Sequence, residues 1–214
     1  MKIEVVIFDL DGVLADTFGQ TYAVDCEIIR KRTGSSPDVQ TYKSNPHRGN
    51  WTDFYACFGV QDGEVALAEY YNAFNLEEIT TIPGAAEMLK HPSINLLDRA
   101  IASVNRDKER VTKKLKTIGL EQYFREEDIY TVKGDKKILL AQICEEYIVI
   151  LRHALFVSDT ANDINAGNQA GVYTVAIGNE YSYDTSAMLL AANPKSLLND
   201  ISELPRLIEK LRAQ

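Results

Sequence analysis

Four apolar residues in a row, Val5-Val6-Ile7-Phe8, stand near the start of the chain, and two acids one residue apart, Asp9 and Asp11, follow at once. A run without polar alternation predicts a strand buried on both faces, in the middle of a parallel sheet. Residues 18–32 change to helical spacing (Tyr22, Cys26, Ile29), with Gly34 as a stop. The stretch 34–50 is polar and broken by Pro37, Pro46 and Gly49, which predicts a long irregular loop. Aromatic residues at 51–58 and a periodic pattern at 62–74 predict two more helices. From Pro83 on, apolar runs at 99–105, 128–132, 154–158 and 172–177 alternate with helical patterns at 85–90, 108–117, 136–147 and 164–170. Helical patterns at 184–192 and 201–211 close the chain.

That alternation predicts an α/β fold: a Rossmann-like parallel sheet with helices on both faces and right-handed crossovers. The first strand must rejoin it across the helical stretch. Residues 1–17 and 83–214 are therefore expected to form one core domain, and 18–82 a small all-helical cap domain.

Composition narrows the function. Of 214 residues 45% are hydrophobic, enough for a real core. The net charge of −8 argues against a nucleic-acid surface, which needs a basic patch, yet leaves room for a small anionic substrate at a locally positive site. Three cysteines, Cys26, Cys57 and Cys144, fit no metal-ligand spacing and read as reduced thiols. No apolar run approaches the ~20 residues that span a membrane, and an acid at Glu4 does not suit a signal peptide. A cytoplasmic location with no membrane partner is the expectation; the sequence does not fix an oligomeric state.

Polar residues gather where the strands end: Asp9 and Asp11, then Ser103, then Asp159 and Asp163, with Lys133 at a helix start past another strand. In a parallel sheet these ends share one edge, where ligands bind. Residues two apart on an extended chain point the same way, so Asp9 and Asp11 can face one pocket. Acids from two strands suit Mg2+, a hard ion that takes oxygen ligands. A hydroxyl and a lysine suit phosphate oxygens. Together these groups describe phosphoryl transfer, in which positioning and charge neutralisation do most of the work.

The order resembles that of the haloacid dehalogenase superfamily, in its phosphatase branch with a helical cap inserted after the first motif. The stretch from Phe8 to Thr17 is similar to the first motif, Ser103-Val104-Asn105 to the second, Lys133 to the third, and Ser158 to Asp163 with Ala170-Gly171 to the fourth. The third motif is the weakest match, because Lys133 lacks a following proline, and Lys136 is the alternative. The resemblance implies that Asp9 is the nucleophile and that Asp11 is the acid and then the base. It implies that Asp9, Asp159 and the backbone carbonyl of Asp11 ligate Mg2+ with Asp163 in support. Ser103, Asn105 and Lys133 would hold the phosphoryl group. Within the cap, the stretch from Tyr42 to Trp51, Arg48 included, is the expected substrate-facing segment. The expected function is a Mg2+-dependent phosphatase of a small phosphorylated metabolite. A sugar phosphomutase or phosphonate hydrolase of the same fold, or a non-catalytic binding module, is the alternative.

Overall fold

Strand β1 (Val5–Phe8) has all four residues fully buried, as an apolar run without alternation requires. A computed structural model describes residues 1–47, 50–105, 107–132 and 136–214. After β1 come a short strand, β2 (Ala15–Asp16), and four helices: α1 (Phe18–Thr33), α2 (Val39–Lys43), α3 (Trp51–Ala56) and α4 (Gly63–Ala73). Strand β3 (Thr80–Thr81) then returns antiparallel to β2, with Ala15 opposite Thr81. One two-stranded ribbon thus ties both ends of the helical segment.

Beyond it the chain runs through α5 (Ala85–Lys90), α6 (Pro92–Asn95), β4 (Asp98–Ser103), α7 (Lys108–Thr117), β5 (Ile129–Thr131) and α8 (Lys136–Glu146). It continues through β6 (Ala154–Ser158), α9 (Ala161–Ala170), β7 (Tyr173–Ile177), α10 (Ser186–Ala191), β8 (Ser196–Leu198) and α11 (Leu204–Arg212). Six strands form one parallel sheet in the order β5-β4-β1-β6-β7-β8. The order reverses at β1, so the crevice beyond its carboxyl end is a topological switch point, the place where open α/β sheets bind ligands.

The alternation of side chains along β1 divides the core. Val6 and Phe8 pack on one face with Ile101, Leu115, Val157 and Leu204, while Val5 and Ile7 pack on the other with Leu139, Leu140 and Ile143 of α8. Truncating such a side chain, as in Ile7→Ala, costs about 2–5 kcal/mol.

Where the fold departs from the sequence pattern, local chemistry explains it. The expected loop at 34–50 contains α2, whose start is set by Asp38: its carboxylate accepts from the Thr41 N–H at 2.8 Å. Helix α9 starts at Ala161, not at 164, because the Thr160 hydroxyl caps it. Strands β2, β3 and β8, with two or three residues each, are too short to show a period.

The helical segment is held by polar ties. Asp25 of α1, fully buried, accepts from the hydroxyls of Tyr42 and Tyr55, each at 2.5 Å. Arg32 reaches from α1 to Asp62 at 2.9 Å and Glu69 at 2.8 Å. No helix among the described residues is long and apolar enough to cross a membrane.

Candidate active site

Asp9 continues the sheet one residue past β1, its N–H donating to the Val157 carbonyl at 2.9 Å. That fixes the carboxylate at the sheet edge. Its Oδ1 accepts from the Leu10 N–H at 2.8 Å, and its Oδ2 lies 2.8 Å from Lys136 Nζ. Lys136, the first residue of α8, also reaches Asp163 Oδ2 at 2.5 Å, and the Ser158 hydroxyl donates to the same oxygen at 2.8 Å. One ammonium therefore stands between two carboxylates, all three nearly out of solvent. Burial pushes Asp9 up from the usual 3.8 to about 7, against the pull of Lys136. Burial would also lower Lys136, but Asp163 and then Asp9 outweigh it and raise its pKa. Asp163, against its own burial, is held low by Lys136.

Asp159 follows β6, the neighbour of β1. Its Oδ2 accepts the Tyr183 N–H at 2.7 Å, while its Oδ1 is buried with no hydrogen-bond partner among the described residues. Burial first, and the Asp9 charge second, raise its pKa well above the ordinary value. Gly12 turns at φ +75° against this carboxylate; a Cβ there would fall 2.1 Å from Asp159 Oδ2. The loop after β1 and the end of β6 thus share one small space. A buried carboxylate oxygen without a donor, beside a second carboxylate, is what a hard cation would complete. No group of three or more His, Cys, Asp or Glu side chains forms a metal cage among the described residues. Two carboxylates suit Mg2+ all the same, because that ion keeps several waters and takes the rest of its shell from substrate phosphate.

Asp11 makes a different pair. Lys114 Nζ of α7 lies 2.6 and 2.7 Å from its two oxygens, and the same ammonium sits 5.4 Å from the centre of the Phe74 ring, just past α4. The cavity between sheet edge and helices holds about 620 Å³, within the usual range for small-molecule sites. Asp9, Asp11, Ser103, Asn105, Lys136, Asp159 and Asp163 line it from the sheet side. Asn50, Trp51, Tyr70 and Tyr71 line it from the helical segment, and Arg110 and Lys114 from α7. A buried hydroxyl chain binds the two sides: Tyr183 to Thr17 at 3.0 Å and to Thr21 at 2.8 Å, and Thr21 to Tyr70 at 3.0 Å.

The expected residues Asp9, Asp11, Ser103, Asn105, Asp159 and Asp163 all meet in this cavity. Ser103 ends β4 with 3% exposure, and its Oγ accepts from the Asn105 N–H. Lys133 and Arg48 lie outside the described residues. The lysine found on Asp9 is Lys136, the alternative. Of the expected substrate-facing stretch from Tyr42, only Asn50 and Trp51 among its described residues line the cavity. Tyr42 is fully buried, and Asn45 donates to the Phe54 carbonyl. Lys43 reaches the Glu180 carbonyl at 3.0 Å, tying α2 to the loop after β7. Aromatic packing explains the correction: Tyr42 meets Phe18, Tyr22 and Phe54 edge-on.

The sequence patterns assign no role to Lys114, Arg110 or Tyr183, which all line the cavity. For Lys114 a signal existed. Val111, Leu115 and Ile118 make an apolar stripe, and residue 114 falls on it. A lysine on a core stripe implies a buried charge that needs a partner.

A doubly wound sheet, an acid-rich crevice at its switch point and a helical segment over that crevice define a class of α/β enzymes that work on charged ligands. The comparisons narrow it. The family model described as haloacid dehalogenase-like hydrolase matches residues 6–177, and the chain belongs to that family. It is 27% identical to phosphoglycolate phosphatase 1 of Pseudomonas aeruginosa, over 93% of this chain and 77% of that one. Its fold matches a haloacid dehalogenase-like protein of unknown function from Agrobacterium tumefaciens with a TM-score of 0.81 at 20% identity, covering 98% of this chain and 99% of that one. A family hydrolase from Deinococcus radiodurans, solved with bound phosphate and sodium, matches with a TM-score of 0.78 at 23% identity, over 97% and 96% of the two chains.

Proposed function

We propose that this hydrolase is a Mg2+-dependent phosphatase of a small phosphorylated metabolite, acting through an aspartyl-phosphate on Asp9. We further propose that residues 1–17 and 83–214 form the catalytic core and 18–82 its cap. The observation that carries the reading is the Asp9 carboxylate, held 2.8 Å from Lys136 beside Asp159 and its unpartnered buried oxygen.

Asp9 attacks phosphorus with its carboxylate and expels the substrate alkoxide. Lys136 neutralises the nucleophile before a dianion approaches and then stabilises charge on the phosphoryl oxygens. Asp163 and Ser158 hold Lys136 in line. Ser103 and Asn105 supply donors at the tip of β4. Asp11, released from Lys114 as substrate enters and protonated from solvent, gives that proton to the leaving oxygen and then takes one from the water that hydrolyses the acyl phosphate. Asp9 and Asp159, with the Asp11 carbonyl, would hold Mg2+, which supplies positive charge to the phosphoryl oxygens when bound. The helical segment limits water at the site and meets the leaving group through Trp51, Tyr70 and Tyr71.

Release of inorganic phosphate from p-nitrophenyl phosphate and from a panel of sugar, nucleotide and short-acid phosphates tests this, with Mg2+ and with EDTA. Turnover that needs Mg2+ is expected. Absence of turnover on every phosphoester would leave the binding-module alternative standing.

A further inference from the structure

We infer that Arg110 selects substrates whose leaving group carries a second anion, a carboxylate or a second phosphate; this rests on the phosphatase reading above. The acids of the cavity already hold its lysines: Lys136 has Asp9 and Asp163, and Lys114 has Asp11. Arg110, which also lines the cavity, pairs with no carboxylate among the described residues. Its guanidinium lies 5.0 Å from the centre of the Tyr71 ring and 5.6 Å from that of Phe74. Stacking of this kind holds the planar fork in one orientation and leaves its N–H edge for an acceptor. That edge matches a carboxylate or phosphate with two parallel hydrogen bonds.

Position gives the reach. Arg110 and Lys114 are four residues apart on α7, a spacing that puts both on one helix face with Cβ atoms about 5–6 Å apart. Lys114 marks Asp11, where the bond to the leaving oxygen breaks. A leaving group that extends past Asp11 along α7 therefore meets Arg110 next, with the faces of Trp51 and Tyr71 beside its carbon skeleton. A neutral leaving group would bury the cation's cavity edge without pairing it.

Three substrates with one carbon skeleton test the inference: glycerol 3-phosphate, 3-phosphoglycerate and glycerol 1,3-bisphosphate. The wild-type protein is expected to favour at least one anionic member over glycerol 3-phosphate in kcat/KM by about tenfold or more. Whichever arm gains identifies carboxylate or phosphate as the group recognised. Arg110→Met is expected to collapse that ratio toward one, mainly through KM, and Arg110→Lys to keep part of it. A wild-type ratio near one for both anionic members overturns the inference while leaving the phosphatase reading intact. So does an Arg110→Met protein in which all three substrates lose the same factor. If Arg110→Met does not fold, the wild-type ratios and the Arg110→Lys protein decide. No phosphate release from these three, from p-nitrophenyl phosphate or from the wider phosphoester panel removes the phosphatase reading and this inference with it.

Discussion

Two lysine–carboxylate arrangements face each other across one cavity, and they are built on different principles. On the sheet side, Lys136 is 2% exposed and locked between Asp9 and Asp163. On the seam with the helical segment, Lys114 holds Asp11 alone, and the Asp11 side chain keeps 29% exposure. The first is an over-determined network whose members all come from strand tips and helix starts of one sheet. The second is a single pair that substrate can open. In the proposed phosphatase, rigidity falls where the phosphoryl group would be positioned, and exchangeability where leaving groups would differ.

Breaking the sheet-side network should have the largest effect. Lys136→Met leaves Asp9 and Asp163 buried together, so a stability loss of about 3–5 kcal/mol is expected in denaturant unfolding, with activity down at least ~100-fold. Gly12→Ala comes next. A methyl group would meet Asp159 and force an unfavourable φ, so activity should fall to near background while circular dichroism stays native. On the seam, Lys114→Met should cost less, about 1 kcal/mol in denaturant unfolding, because Asp11 keeps solvent contact without its partner. Asp11→Asn removes the acid itself: alkyl phosphates, whose leaving oxygen needs a proton, should lose about tenfold or more beyond the loss shown by p-nitrophenyl phosphate, which needs only the base.

A pH test sharpens the contrast. Asp9, raised to about 7, and Asp159, raised well above its ordinary value, both keep protons in the folded state that the unfolded chain gives up near 3.8. The folded state then binds more protons between those limits, so their contribution to stability declines as pH rises through that window. Thermal melting in EDTA should show this decline, and added Mg2+ should raise Tm more at pH 7 than at pH 5. The smallest effect belongs to the hydroxyl chain: Thr21→Val should cost about 0.5–1.5 kcal/mol in stability, because it removes the link from Tyr183 to Tyr70.

The two regions also differ in how far the sequence reveals them. The sheet side is written in local signals. An apolar run followed by Asp marks Asp9 and Asp159, and both stand where that pattern predicts. The seam depends on packing between segments far apart in the chain. Nothing near residue 11 announces Lys114, and its only trace is a charge on the Val111–Leu115–Ile118 stripe. Lys136 carries the same trace ahead of Leu139, Leu140 and Ile143. The stretch 34–50 misleads for a related reason: its prolines suggest a loop, while Tyr42 is drawn into the aromatic cluster with Phe18 and Phe54.

The most direct test of the account is chemical trapping of the phosphorylated enzyme. Sodium borohydride added during steady-state turnover reduces an acyl phosphate to the alcohol, converting the aspartate that carried it to homoserine. Mass spectrometry of the peptide spanning Asp9 is expected to find homoserine at position 9, dependent on substrate and on Mg2+, and none in Asp9→Asn. Steady phosphate release with Asp9 unmodified, or near-normal turnover by Asp9→Asn, would contradict it.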